Sequence, residues 1–321
     1  MAHTCELIKI AVLDDYQNVA LKMADWSRLR DRAHITVFND NISDAQTLIE
    51  RLAQFDVLCV MRERTPLPRS IIQHLPRLKV IASTGPRNRS IDIEAARERG
   101  ILVLNTGYAS EPTVELTWAL ILASTRHIAA ESLSFRQGGW QTTVGEDLHG
   151  KTLAVLGLGN VGNSVAAVGR AFGMQVIAWS QNLTPERAAA AQVRYVAKDE
   201  LFRNADILSI HLILSDRTRG LVGADELKLM KPTARLINAS RGPIVREVDL
   251  IDALTSNRIA GAALDVFDEE PVPKSHPYRS LSNVLATPHV GYVSEKLYRV
   301  FYGDVVNHLD LWLSNPNYTG D

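Results

Sequence analysis

Residues 152–162 read Thr-Leu-Ala-Val-Leu-Gly-Leu-Gly-Asn-Val-Gly. An apolar run of strand character enters Gly157-x-Gly159-x-x-Gly162, and a helical pattern, Val161–Phe172, leaves it. Few folds accommodate that order of strand, glycine turn and helix. Gly157 permits a tight turn, Gly159 leaves space for a phosphate beside the backbone, and Gly162 lets helix and strand pack closely. The helix N-terminus then offers unpaired N–H groups to negative charge. The pattern predicts a pyrophosphate-binding βα unit, with Gly157, Gly159, Asn160, Val161 and Gly162 facing a dinucleotide. The competing reading is a structural glycine turn.

The rest of the chain alternates in the same way. Strand-type runs occur at Ile8–Leu13, Ile35–Phe38, Val57–Val60, Lys79–Ala82 and Ile101–Leu104, with helical patterns at Asp44–Ala53 and Ile91–Arg99. The series restarts with strands at Leu153–Leu156, Gln175–Trp179, Ile207–Ile210, Arg235–Asn238, Gly261–Val266 and Val284–Ala286. Helices are expected at Lys198–Arg203, Ala224–Leu229 and Glu247–Thr255. Strands alternating with helices pair in parallel through crossovers, so the fold class is α/β, with two doubly wound parallel-sheet domains. A long apolar helix, Glu111–Ile128, is expected between the series, and an amphipathic helix follows at 294–314.

Bulk properties narrow the function classes. At 321 residues the chain can fill two domain cores. A net charge of -1 leaves no electrostatic footprint for nucleic acid or an anionic membrane. Cys5 and Cys59 have no metal-like or C-x-x-C spacing, which predicts a reduced, cytoplasmic protein. Met1–Glu6 has neither the basic nor the apolar region of a signal peptide. The apolar window Leu116–Ala123 is too short to span a bilayer.

In open α/β sheets ligands bind beyond the carboxyl ends of the strands. There the second series places the glycine turn, Ser180, Gln181, His211, Arg241, Asp265, Glu270 and His289. An arginine, two carboxylates and two histidines thus gather near one sheet edge. His34, His74, His127 and His149 are scattered without ligand spacing, so no metal site is expected. No G-x-S-x-G elbow supports acyl chemistry.

The combination resembles the D-isomer-specific 2-hydroxyacid dehydrogenase family. Four stretches carry the likeness: Leu148-His-Gly-Lys-Thr152, Met230-Lys-Pro through Asn238-Ala-Ser-Arg-Gly-Pro243, Ala263-Leu-Asp-Val-Phe-Asp-Glu-Glu-Pro271, and Thr287-Pro-His-Val-Gly291. Asn105 and Glu115 sit where the family has its interdomain signature. The resemblance implies a Rossmann cofactor domain, residues 108–292. It also implies a flavodoxin-like substrate domain, residues 1–107 with 293–321, joined to the first by two crossings. The implied activity is hydride transfer between NAD(P)H and a small 2-oxo acid of the glyoxylate or hydroxypyruvate type, giving a D-2-hydroxy acid.

By the same resemblance Arg241 clamps the substrate carboxylate and carbonyl, a task suited to a permanently charged guanidinium fork. His289 exchanges the proton, and Glu270 orients it and favours its charged form. Asp265 is implied to contact the nicotinamide carboxamide. Thr113, His211, Thr218, Ala239 and Gly291, with Arg241 and His289, complete the implied cofactor contacts. Arg62, Thr84 and Gly85 are implied substrate contacts, with backbone N–H groups near the glycine holding the carboxylate. Glu63 and Arg87 are larger than a small substrate requires. A homodimer is implied, with Glu111–Ile128 as a plausible interface helix.

Selectivity for NAD rests on an acid roughly 20 positions past the glycine turn. Here Ser180 stands in that place, followed by Gln181 and Asn182, with Arg187 nearby. No carboxylate repels a 2′-phosphate, so NADP is favoured over NAD. Two readings compete with the enzyme: a dinucleotide-sensing binding protein, and a dehydrogenase acting on a sugar or amino acid.

Overall fold

The computed structural model describes residues 6–315 and 317–320, so Cys5 and the terminal Met1–Cys5 segment lie outside the described residues. The chain divides into two compact units, Met1–Ala109 with Val293–Asp321, and Ser110–Tyr292.

The first unit is built on β1 (Ile8–Val12), β2 (Ala33–Val37), β3 (Val57–Val60), β4 (Val80–Ser83) and β5 (Leu102–Asn105). They pair in parallel in the order β2-β1-β3-β4-β5. Every residue of β3 and β4 is buried, as expected for parallel strands covered on both faces. Helices Ala45–Leu52 and Ile93–Glu98 start where Asp44 and Asp92 accept the N–H groups of Thr47 and Ala95, both at 2.8 Å. The helix Glu295–Ser314 belongs to this unit. Its buried residues Leu297, Phe301, Val305 and Leu309 recur every four positions, with Tyr298, Tyr302 and Val306 beside them. That stripe packs on the short segments Ala20–Met23 and Trp26–Leu29, where the Trp26 and Tyr302 rings lie 6.3 Å apart.

The second unit contains β6 (Thr152–Leu156), β7 (Gln175–Trp179), β8 (Arg194–Tyr195), β9 (Ile207–Ile210), β10 (Arg235–Asn238), β11 (Gly261–Leu264) and β12 (Val284–Ala286). All pair in parallel, in the order β12-β11-β10-β9-β6-β7-β8. Progression along the sheet reverses between β6 and β9, so the chain parts there and opens a crevice at their carboxyl ends. Apolar clusters fill both faces, one around Phe202, Leu208 and Leu254, the other around Ile121, Val155 and Val165.

The long helix expected over Glu111–Ile128 is two helices, Glu111–Thr125 and Ile128–Arg136. The hydroxyls of Ser124 and Thr125 both donate to the Ile121 carbonyl, competing with the helical ladder. His127 then adopts a left-handed φ of 51°, which redirects the chain. The helix expected to carry Arg187 is Pro185–Ala190, whereas the two-residue strand β8, polar and exposed, was not expected.

Candidate active site

β6 delivers the chain into the glycine turn. Gly157 has φ +104°, and its N–H donates to the Trp179 carbonyl at 2.9 Å, so the turn lies against the end of β7. A Cβ on Gly162 would sit 2.0 Å from the Gly157 carbonyl oxygen. The helix Asn160–Ala171 therefore approaches the turn more closely than any side chain permits. A Cβ on Gly159 would meet nothing within 4 Å, leaving open space at the helix N-terminus. The Asn163 N–H makes the first bond back, to Gly159, at 2.8 Å. The N–H groups before it lack intrahelical partners and can receive an anion. Turn, open space and helix end fit a pyrophosphate.

Ser180 follows β7 directly, and the loop behind it closes through the Leu183 N–H and the Ser180 carbonyl. Arg187 lies on the helix Pro185–Ala190, yet its guanidinium turns back and donates to the Asn182 carbonyl at 3.3 Å. The exposed Arg187 guanidinium thus lies beside the segment Ser180–Asn182.

His211 follows β9. Its ring is hydrogen-bonded to the Ser209 hydroxyl at 2.8 Å, and burial pushes it down to about 4, so it is neutral at working pH. The Thr218 hydroxyl donates to the Ile213 carbonyl at 2.7 Å and accepts the Ser215 N–H at 2.8 Å. The hydroxyl thus holds the turn that carries Thr218. Ala239, at the end of β10, packs into the core.

The remaining candidates follow three adjacent strands. Asn238, Leu264 and Ala286 stand in register across β10, β11 and β12. Arg241 lies three residues past the first, Asp265 one and Glu270 six past the second, and His289 three past the third. Strand spacing places these strand ends within roughly 10 Å of one another. Glu270 Oε2 and His289 Nδ1 lie 2.5 Å apart, while Glu270 Oε1 accepts the Phe267 N–H at 2.9 Å. The carboxylate is thus gripped at both oxygens. The two side chains are 24% and 33% exposed, open enough for a reactant to reach the free imidazole nitrogen. His289 has a left-handed φ of 52°, and its ring edge meets Tyr292 at 5.3 Å.

Asp265 sustains that strained turn. Its Oδ1 accepts the Thr287 hydroxyl at 2.6 Å and the Val290 N–H at 2.8 Å, and its Oδ2 accepts the Gly291 N–H at 2.8 Å. Burial pushes the Asp265 carboxyl up, against these bonds. The Thr113 hydroxyl donates to the Gly291 carbonyl at 3.3 Å. Residues on both sides of His289 are therefore tied down. A buried carboxylate tied to backbone at a strand end was the competing sequence reading of Asp265, and these bonds show such ties.

Arg241 extends from a turn fixed by Asn238. The Asn238 amide donates to the Arg241 carbonyl at 3.0 Å and accepts the Ser240 N–H at 3.0 Å. The Arg241 guanidinium donates to the Ser240 carbonyl at 2.7 Å.

In the first unit, Arg62 has a left-handed φ of 53°. Its N–H donates to the Thr84 hydroxyl at 2.8 Å, its guanidinium to the Thr84 carbonyl at 3.1 Å, and its carbonyl accepts from Asn88 at 2.5 Å. The guanidinium lies against Gly85 and 5.5 Å from the Tyr108 ring centroid. Gly85 differs from expectation in one respect: its own N–H is committed to the Thr106 hydroxyl at 2.7 Å. Its contribution is room for the arginine. Arg64 stacks over Tyr16 at 4.6 Å, and Arg87 is exposed. No group of His, Cys, Asp and Glu suited to a metal occurs among the described residues, and none of their helices is long and apolar enough to cross a membrane.

Residues 118–291 match the pattern of the D-isomer specific 2-hydroxyacid dehydrogenase NAD binding domain. The chain is 40% identical over 255 residues to a glyoxylate reductase of Aeropyrum pernix, covering 76% of each sequence. It is 37% identical over 294 residues to a D-3-phosphoglycerate dehydrogenase of Methanocaldococcus jannaschii, covering 90% of this chain but only 54% of that enzyme's length. Its fold superimposes on a phosphoglycerate oxidoreductase from Vibrio cholerae with a TM-score of 0.91 at 37% identity, covering 96% of this chain and all of the other. The chain is an oxidoreductase belonging to the D-isomer-specific 2-hydroxyacid dehydrogenase family.

Proposed function

We propose that this enzyme reduces a small 2-oxo acid of the glyoxylate or hydroxypyruvate type to the D-2-hydroxy acid, preferring NADPH to NADH. The observation that carries the reading is the Glu270–His289 pair at 2.5 Å, on the strand ends next to Arg241. The bound nicotinamide supplies the hydride. Arg241 binds the substrate carboxylate and polarises the carbonyl with its fork of donors. His289, charged and backed by Glu270, releases a proton from Nε2 to the developing alkoxide. In oxidation the neutral imidazole takes that proton back. Arg62, held rigidly over Gly85 by Thr84 and Asn88, is assigned to substrate binding.

Residues 157–162 are assigned to the pyrophosphate, and Ser180, Gln181, Asn182 and Arg187 to the 2′-phosphate. Thr113, His211, Ala239, Asp265 and Gly291 complete the cofactor wall, Asp265 chiefly by bracing the His289 turn. The preference for NADPH is supported by the absence of an acid at position 180 and by the Arg187 guanidinium beside Asn182. The active form is proposed to be a homodimer. Ile128, Leu133, Phe135, Trp140 and Val144 are all more than half exposed within one short stretch, more apolar surface than a monomer ordinarily leaves to water.

The test is a substrate panel. Oxidation of NADPH and NADH is followed by absorbance with glyoxylate, hydroxypyruvate, pyruvate and bulkier 2-oxo acids. Turnover with the small acids and NADPH supports the reading. Cofactor binding without turnover of any of them replaces it with the sensing role.

A further inference from the structure

We propose that Gly242 is a positioning residue for proton transfer: it lets the Arg241 turn lie backbone against backbone on Phe267–Asp268 and so holds Glu270 against His289. The inference rests on the reaction proposed above, in which His289 passes the proton.

Gly242 has no positive φ, so its backbone conformation is open to any residue. Space is what requires glycine. A Cβ there would sit 2.1 Å from the Phe267 carbonyl carbon, 2.2 Å from its oxygen and 2.7 Å from the Asp268 nitrogen. These are main-chain atoms, so no side-chain rotation relieves the overlap. The Arg241 side of the contact is fixed by both Asn238 bonds and by the Val245 N–H, which donates to the Gly242 carbonyl at 3.0 Å. The Phe267–Asp268 chain borders a small cavity lined also by Glu247 and Tyr278.

Phe267 is also the residue whose N–H holds Glu270 Oε1, leaving Oε2 for His289. Restoring ordinary contact with an added methyl moves Phe267 by about 1 Å or more, which takes a normal hydrogen bond out of range. The glutamate then swings away from the imidazole, although neither catalytic side chain has been altered. The turn that carries the substrate arginine and the loop that aims the proton donor therefore behave as one mechanical piece.

The experiment compares full-length wild type, Gly242→Ala, Glu270→Gln and the double variant. Reduction kcat is measured against pH at saturating NADPH, and NADPH affinity by fluorescence titration. Gly242→Ala is expected to move the alkaline limb of the kcat profile to lower pH, as Glu270→Gln does, because the imidazolium loses its partner. NADPH affinity should stay within about twofold, because the residues assigned to the pyrophosphate and the 2′-phosphate follow β6 and β7, on the far side of β9 from β10 and β11. The double variant should shift no further than Glu270→Gln alone. A limb left in place, with kcat lowered equally at every pH, overturns the proposal, as does an additive shift in the double variant. If Glu270→Gln itself leaves the limb unmoved, the proposed reaction falls as well. Asn238→Ala supplies the second variant should Gly242→Ala not fold. It releases the Arg241 turn from below, and a shift of the same sign supports the coupling, whereas none overturns it.

Discussion

Replacing Glu270 by glutamine removes one charge and adds one donor, at nearly constant shape. In the wild type Oε1 accepts the Phe267 N–H at 2.9 Å and Oε2 faces His289 Nδ1 at 2.5 Å. A glutamine can satisfy Phe267 only with its carbonyl oxygen, so its amide nitrogen must face His289. A donor then meets Nδ1, and the imidazolium, with a proton on both nitrogens, is left with opposed N–H groups. A charge-assisted hydrogen bond contributes about 1.5–3 kcal/mol. At a quarter to a third exposure water screens part of it, leaving about 1–2 kcal/mol. The alkaline limb of the reduction profile moves acidward, because the charged imidazole has lost its anionic partner. Above both limbs the rate falls about tenfold, and activity recovers as the pH is lowered. Stopped-flow or steady-state oxidation of NADPH across the pH range reads this directly. The KM for the 2-oxo acid should hold, because Arg241 is untouched. A profile that superimposes on the wild type, or that moves to higher pH, refutes the role given to Glu270.

Other expectations follow from the same geometry. Ser180→Asp should turn cofactor preference towards NADH, and Arg187→Ala should weaken NADPH alone by roughly tenfold, the loss of one charge-assisted contact to a phosphate. Equal effects on both cofactors would contradict the 2′-phosphate assignment. Asp265→Asn must point an amide N–H at one of three donors, which should cost about 1–3 kcal/mol in urea unfolding and lower kcat through the His289 turn. Unchanged stability would show that the bracing is idle. His211 is pushed down to about 4 in the folded state against about 6.5 unfolded. The unfolded chain thus binds the extra proton first, and stability is lost as pH falls from about 6.5 to about 4, by on the order of 1–3 kcal/mol. Thermal midpoints across that window should fall less steeply in His211→Gln, and parallel slopes would refute the assignment.

Much of the architecture was legible because buried parallel strands announce themselves. β3, β7, β9, β10 and β12 fall on the expected ranges residue for residue, because each centres on a short, largely apolar run. The helix break at His127 was hidden, because it depends on hydroxyls turning inward to Ile121 rather than on a glycine or proline. The placement of Glu295–Ser314 was hidden too. Its apolar stripe is plain in the sequence, but the Trp26 surface that receives it lies about 270 residues earlier.

At the site, residue types at the strand ends pointed to Arg241 and His289 and the family resemblance singled out Glu270, whereas hydrogen-bond bookkeeping could not be read from either. The Thr218 hydroxyl and the Gly85 N–H are each spent locally. Asp265 reads as a ligand-facing carboxylate until its three donors are seen. Gly242 reads as part of an Arg-Gly-Pro turn until the Phe267 backbone is found against it. Backbone-to-backbone approach leaves no signature in a single sequence beyond the glycine itself.

A dyad that hands one proton to and fro must show opposite pH responses in the two directions of the reaction. Catalytic efficiency should be measured for 2-oxo acid reduction with NADPH and for D-2-hydroxy acid oxidation with NADP, across the same buffers. Reduction should decline on the alkaline side and oxidation on the acid side, and both limbs should depend on His289. Two profiles of the same slope, or midpoints that survive His289→Ala, would show that the imidazole is not the group that carries the proton.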